Sequence, residues 1–172
     1  MARHVTHGAF GPLWSPNSRA LVLGSMPSPA SRELGFYYMH PRNRFWPVMA
    51  TLFGEDVPQG VEARRGFALR HRIALYDALE ECDIVGASDA SIRNPVPADL
   101  TPILRGAAIR AIFCTGATSA RFFTMYCAPM LETAGFQVPM TRLPSTSPAN
   151  ASWSLERLVK AYRPVLDAAL DI

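Results

Sequence analysis

The chain has 172 residues, 49% hydrophobic and 18% charged, which suits one domain over 1–172 with a sizeable core and excludes a disordered chain. No apolar run approaches the roughly 18 residues of a membrane span. Met1 to Gly11 holds Arg3, His4 and His7 without the apolar core of a secretory signal, so a cytoplasmic protein with no membrane partner is expected. Cys82, Cys114 and Cys127 are odd in number and widely spaced, with no Cys-x-x-Cys pair. No metal, iron–sulfur cluster or other cofactor is therefore expected, and the three cysteines read as buried free thiols.

The formal charge is +3 and the pI near 9.0, a weak nucleic-acid signal taken alone. Of 17 basic residues only Lys160 is a lysine. Arginine suits bidentate phosphate contacts and stacking.

In chain order, residues 1–17 read as an irregular N-terminal segment and Arg19 to Leu23 as the first strand. Arg44 to Phe53 reads as a helix with Phe45, Met49, Leu52 and Phe53 on one face and Pro47 in its first turn. Gly60 to Arg70 is a second helix. Ile73 to Cys82 stays open between a strand, a helix, or one after the other. Gly86 to Pro102 is polar and Pro-rich and reads as a long surface loop. Ile109 to Cys114 is a buried strand. Thr118 to Ala134 is a helix kinked at Pro129, and Phe136 to Leu143 returns as a strand. The last helix starts near Ser154, with Leu155, Leu158, Val159, Tyr162, Val165, Leu166 and Leu170 at helical spacing and a kink at Pro164. Strands alternating with helices predict an α/β domain around a mostly parallel sheet.

Two loops carry the candidate chemistry. The first, Gly24-Ser25-Met26-Pro27, ends a strand without a dinucleotide fingerprint or a P-loop. It serves either as an ordinary turn or as backbone brought close to a ligand. Behind it, Tyr37-Tyr38 and Phe45-Trp46 bracket the polar turn His40-Pro41-Arg42-Asn43-Arg44. Aromatics interleaved with arginine and amide groups suit a flipped base: a ring to stack on, polar groups for its edge, cations for phosphates. Tyr38 lies outside the helical pattern and is the stacking candidate. Asn43 is either an edge-reading amide or the cap of the following helix. Arg42 and Arg44 are either phosphate ligands or solvated charges. The second loop, Ser145-Thr146-Ser147-Pro148-Ala149-Asn150, offers hydroxyls and amides to a phosphodiester backbone, or is a Ser/Pro turn before a helix. Loops leaving the same sheet edge can converge on one ligand.

These strings, with Ser91-Ile92-Arg93-Asn94 and the final helix, resemble the uracil-DNA glycosylase superfamily from about residue 18 to the C-terminus. The overall likeness is to the mismatch-specific branch and the nearest to the hypoxanthine-DNA (deoxyinosine) glycosylases. The His-Pro-x-Asn-Arg-Phe-Trp string, His40 to Trp46, is specific. The resemblance implies a three-layer α/β/α fold with a four-stranded parallel sheet. It also implies hydrolysis of the N-glycosidic bond of a deaminated base flipped out of double-stranded DNA. The chain is expected to act as a monomer. Gly24, Ser25, Met26, Pro27, Tyr38 and Asn94 would bind the base. Arg42, Arg44 and Ser145 to Asn150 would bind DNA.

Two departures matter. Uracil-specific relatives place Asn or Asp where this chain has Met26, which cannot orient water. They also carry a His in the second loop, where this chain has none. Both speak against efficient uracil excision. The resemblance to the hypoxanthine branch, which shares the first departure, implies Asn43 as the catalytic amide, acting on the base or on water. The residue that wedges into DNA in relatives is small here, Ala149. A lyase step needs an amine, and Lys160 lies mid-helix, so a monofunctional enzyme is expected. The alternatives are a G:U/G:T mismatch glycosylase, an inactive DNA-binding module of this fold, and a small-molecule hydrolase built on Ser25 and His40.

Overall fold

A computed structural model describes residues 1–8 and 10–172. Its centre is a four-stranded parallel sheet of β2 (Ala20–Gly24), β3 (Ile73–Asp77), β6 (Ala111–Thr115) and β7 (Met140–Leu143), in the order β3-β2-β6-β7. Every residue of β2 and β3 is buried. That is why both read as unbroken apolar runs: a parallel sheet is covered on both faces. The strand expected over Phe136 to Leu143 is shorter, Met140–Leu143, with the Pro139 carbonyl accepting from the Ile112 N–H just before it.

Helices α1 (Pro29–Leu34), α2 (Phe45–Phe53), α3 (Gly60–Arg70), α4 (Thr101–Gly106), α5 (Ala117–Phe122), α6 (Ala128–Thr133) and α7 (Leu155–Leu170) complete the α/β fold. α2 and α7 pack on each other, α7 lies against β2 and β6, and α3 lies against β3. Phe45, Trp46, Val48 and Met49 of α2 and Leu158, Tyr162 and Val165 of α7 are buried at this layer. α7 continues without a break through Pro164. The helix expected over Thr118 to Ala134 divides into α5 and α6 around a π-helical turn, Phe123–Cys127. Pro129, which offers no N–H to the turn before it, follows this π-turn directly, at the start of α6.

The principal correction is a second sheet. β1 (Arg3–Thr6), β4 (Leu79–Val85) and β5 (Ser88–Pro97) form an antiparallel ribbon in the order β1-β4-β5. The N-terminal segment expected to be irregular thus supplies a strand, and Leu13 forms a further bridge to Leu75 of β3. The open stretch Ile73 to Cys82 is strand followed by strand, changing sheet between Asp77 and Leu79. The surface loop expected over Gly86 to Pro102 is largely β5. Its residues are mostly exposed, so it lacks the apolar alternation by which a half-buried strand is recognised. Pro95 and Pro97 are tolerated because β5 is an edge strand.

Among the described residues no helix is long and apolar enough to cross a membrane. Cys82, Cys114 and Cys127 are buried free thiols, and burial pushes Cys114 and Cys127 up to about 12.

Candidate active site

In a parallel sheet the carboxyl ends of all strands open on one edge. The crevice forms where successive connections run to opposite sides. Here β2 connects to β3 on one side and the chain then crosses to β6 on the other. A cavity of about 310 Å³ lies at that edge, lined by Gly24 from β2, Asp77 from β3, Thr115 from β6 and Ser145 beyond β7. Ligand pockets run from about 300 to 1,000 Å³, so this one suits a small group. Ser25, Met26, Pro27, Tyr38, His40 and Asn43 also face it, as do Ser147, Pro148 and Ala149 from the second loop.

The first loop is tied down on both sides. Gly24 and Ser25 carbonyls accept from the Ala78 and Leu79 N–H groups. Ser28 caps α1 and accepts from the Ser31 N–H at 3.2 Å. Gly24 must lack a side chain: a Cβ there would lie 2.5 Å from Asp77 Oδ1. That carboxylate cannot step aside, because its Oδ2 is held 2.7 Å from His7 Nε2. Gly24→Ala should therefore cost about 1–3 kcal/mol by overpacking, and it should also weaken ligand binding at the cavity. Thermal unfolding and lesion-DNA affinity of the variant check both.

His7 and Asp77 form a buried pair that the sequence did not reveal. His7 donates from Nδ1 to the Phe10 carbonyl at 2.8 Å, and both side chains are almost fully buried. Burial alone pushes His7 down, but the hydrogen bond and charge of Asp77 reverse this and leave it raised. Asp77 was hidden in the stretch left open between strand and helix. The convergence of parallel strand ends is the signal that could have found it.

Tyr38 has a left-handed backbone, φ 54°, which is strained for a residue with a side chain. The turn is held because Trp46 Nε1 donates to the Tyr37 carbonyl at 3.1 Å and the Met39 N–H donates to Ser31 Oγ at 3.1 Å. The Tyr38 ring stacks on Phe45 with centroids 4.0 Å apart, and Tyr38 lines the cavity. Its hydroxyl is buried and among the described residues has no hydrogen-bond partner, and burial pushes its pKa far up, so it stays protonated.

Asn43 unites the two readings of the sequence. Its Oδ1 accepts from the Phe45 N–H at 2.9 Å, opening α2, and from the Thr146 hydroxyl at 2.9 Å. A backbone N–H can only donate, so the side-chain orientation is fixed: oxygen toward α2 and Thr146. Both lone pairs of Oδ1 are used. Nδ2 makes no hydrogen bond among the described residues and belongs to a side chain lining the cavity. The amide is thus set up as a donor, and the water-accepting role considered for it is closed by this geometry.

Several expected contacts are reassigned. Arg44 does not face outward as a phosphate ligand: its guanidinium donates to the carbonyls of Ser147, Asn150 and Trp153. It staples the second loop to the start of α2. Thr146 is buried and holds Asn43 and so is withdrawn from the DNA face. Ser145 Oγ and Ser147 Oγ accept from N–H groups of their own loop, and Asn150 donates to the Ser145 carbonyl. Those groups shape the loop; Ala149 is its exposed tip. Asn94 is exposed on β5, bonded to Asp83 at 2.8 Å, and takes no part in the cavity. Arg42 is exposed.

The structure adds Asp89, from the tip of the β4–β5 hairpin. Its Oδ1 accepts from the Ser25 hydroxyl at 2.9 Å. It was missed because its strand was read as a loop. The pairing also removes the hydrolase alternative: Ser25 meets a carboxylate, while His40 Nδ1 accepts from the Arg42 N–H. Among the described residues no group of three or more His, Cys, Asp or Glu is placed to hold a metal ion.

The parallel sheet thus brings an amide, an aromatic ring and two loops to one small cavity. The family model of the uracil DNA glycosylase superfamily matches residues 12–167. The chain belongs to that superfamily and is a DNA N-glycosylase. It is 27% identical over 149 residues to a hypoxanthine DNA glycosylase of Methanosarcina acetivorans, covering 86% of this chain and 90% of that one. It is 34% identical over 86 residues to a hypoxanthine DNA glycosylase of Methanosarcina barkeri, covering 49% of this chain and 54% of that one. A solution structure from M. acetivorans, described as a candidate uracil DNA glycosylase, superposes with a TM-score of 0.74 at 24% identity. It covers 96% of this chain and 99% of that chain, and shows the same fold.

Proposed function

We propose that this chain excises hypoxanthine from DNA, hydrolysing the N-glycosidic bond of a flipped deoxyinosine and leaving an abasic site. The observation that carries the reading is Asn43: its oxygen is locked by two donors and its NH₂ is left for the cavity. Likeness to two hypoxanthine DNA glycosylases supports the same substrate.

The C1′–N bond breaks with its electron pair leaving on the base, and water supplies the oxygen that joins C1′. Developing negative charge on the base is met by the Asn43 amide. The Ser25 and Met26 N–H groups, which make no hydrogen bond among the described residues, stand at the same edge. Tyr38 offers its ring to the base. Met26, buried at the cavity, brings no polar atom that would favour uracil. Arg42 and the outward parts of Ser145, Ser147, Pro148, Ala149 and Asn150 would meet the phosphodiester backbone. One copy of the chain would act on duplex DNA, in the cytoplasm at the nucleoid.

The cavity lining includes no lysine, and Lys160 is exposed on α7, which supports a monofunctional enzyme. Duplexes carrying one hypoxanthine, uracil, xanthine or mismatched thymine test the substrate. Hypoxanthine should be released fastest, with strand breaks appearing only after alkali. Release of uracil or mismatched thymine alone would move the chain to the mismatch-specific reading. DNA binding without release of any base would make it a binding module.

A further inference from the structure

We propose that Asp89 is a catalytic carboxylate of this enzyme, placed beside C1′ of the flipped nucleotide to orient and deprotonate the attacking water. The inference rests on the glycosylase reading above and deepens it.

The cavity at the sheet edge opens into an outer groove of about 670 Å³ lined by Arg142, Asn150 and Trp153 among others. The residues common to both spaces are Ala87, Asp89, Ser145, Ser147 and Ala149. With the base in the inner space and the backbone along the groove, the glycosidic bond crosses that neck. Asp89 is the one ionisable residue of the five. Its Oδ1 is fixed by the Ser25 hydroxyl, and among the described residues it pairs with no Arg, Lys or His. A carboxylate without a cationic partner repels DNA phosphates, so at a DNA-facing neck it carries a cost in binding. Cationic character at C1′ in the transition state offsets that cost where it matters, because the attraction appears only as the bond breaks. The first loop brings no polar side chain at Met26, and the β4–β5 hairpin supplies a carboxylate beside it, bonded to Ser25.

In the step, the C1′–N bond breaks and its electron pair goes to the base. The water oxygen bonds to C1′, its proton passes to Asp89, and the base takes a proton from solvent. Asp89 then returns its proton to solvent. Asp89 is an exposed residue of β5, but its carboxyl lies against Ser25. Partial loss of water there raises its pKa, the Ser25 hydrogen bond opposes this, and Asp77 adds to the rise. The charged and titratable groups that share its two spaces include Asp77, with His7 behind it, His40 and Arg142, and the charge of Asp89 is felt at Cys82 of β4. Ionised Asp89 is the active form, so the rate climbs with pH through its pKa.

The test is Asp89→Asn, which keeps an oxygen for Ser25 and removes the base. General-base loss predicts a drop of about 100-fold or more in single-turnover release from deoxyinosine duplex. The acid limb of the pH profile should vanish, while the unfolding midpoint stays unchanged and affinity for an uncleavable 2′-fluoro deoxyinosine duplex is equal to or tighter than that of the wild type. An Asp89→Asn enzyme within threefold of the wild type would overturn the assignment. So would a loss of DNA affinity that accounts for the lost rate. A wild type that releases no base overturns the glycosylase reading itself, before the variant is consulted.

Discussion

Replacing Asn43 by alanine should slow release of the base in single turnover by about 10²–10³-fold, the usual effect of removing one preorganised donor from developing negative charge. Asn43→Asp should be the sharper variant. It keeps an oxygen for the Phe45 N–H and the Thr146 hydroxyl, so the start of α2 and the tie to the second loop persist. It removes both amide hydrogens and sets a negative charge beside a base leaving with negative charge. The aspartate variant should therefore unfold near the wild-type temperature and be at least as slow as the alanine variant. Asn43→Ala also frees the Phe45 N–H and should lose about 0.5–2 kcal/mol of stability. Unfolding midpoints and single-turnover rates of both variants separate the structural half of this side chain from the chemical half. An aspartate variant with wild-type rate would remove the donor role.

The largest effect on stability is expected at His7. His7→Ala leaves the Asp77 carboxylate buried without its partner and the Phe10 carbonyl without its donor. Breaking a buried pair this way costs about 3–5 kcal/mol. For a chain of this length that is roughly 10 °C or more in the unfolding midpoint. The pH dependence has a defined sign. The folded-state pKa of His7 is raised above the ordinary 6.5. Its stabilisation is therefore complete below about 6.5 and declines as pH rises through the raised value. Wild-type protein should lose stability over that interval, and His7→Ala should show a flatter profile there. Denaturant unfolding from pH 5 to 9 measures both. A variant as stable as the wild type at pH 6 would contradict the pair's role. The pair also backs the floor of the cavity, since Asp77 sits against Gly24.

The parts of this site that could be read in the sequence share a cause. β2 and β6 are buried runs that stop at Gly and Thr, β7 is a half-exposed edge strand that stops at Pro, and parallel strands bring such stops to one edge. Gly24 to Pro27, the turn through Tyr38 and Asn43, and Ser145 to Asn150 could therefore be placed together in advance. What lay hidden is of another kind. Arg44 and Thr146 act through partners about a hundred residues away in the chain, and backbone carbonyls carry no sequence signature. Arg44 looks like any surface arginine until the second loop is folded onto it. Asp89 was lost with its strand, because an exposed edge strand containing two prolines has neither the alternation nor the composition of a sheet. Asn94 entered the expected pocket by resemblance alone, and the β4–β5 ribbon carries it away. Asn43 shows the opposite case. Helix opening and edge reading looked like rival roles, and the geometry assigns one to its oxygen and leaves the nitrogen for the other.

The most direct test is the identity of the free base liberated from a duplex with a single deoxyinosine, followed by mass detection before any alkali is added. The account predicts free hypoxanthine at one equivalent per lesion with wild-type protein, an intact strand carrying an abasic site, and at least a 100-fold slower appearance with Asn43→Asp. Wild-type protein that binds this duplex but liberates no hypoxanthine would contradict it.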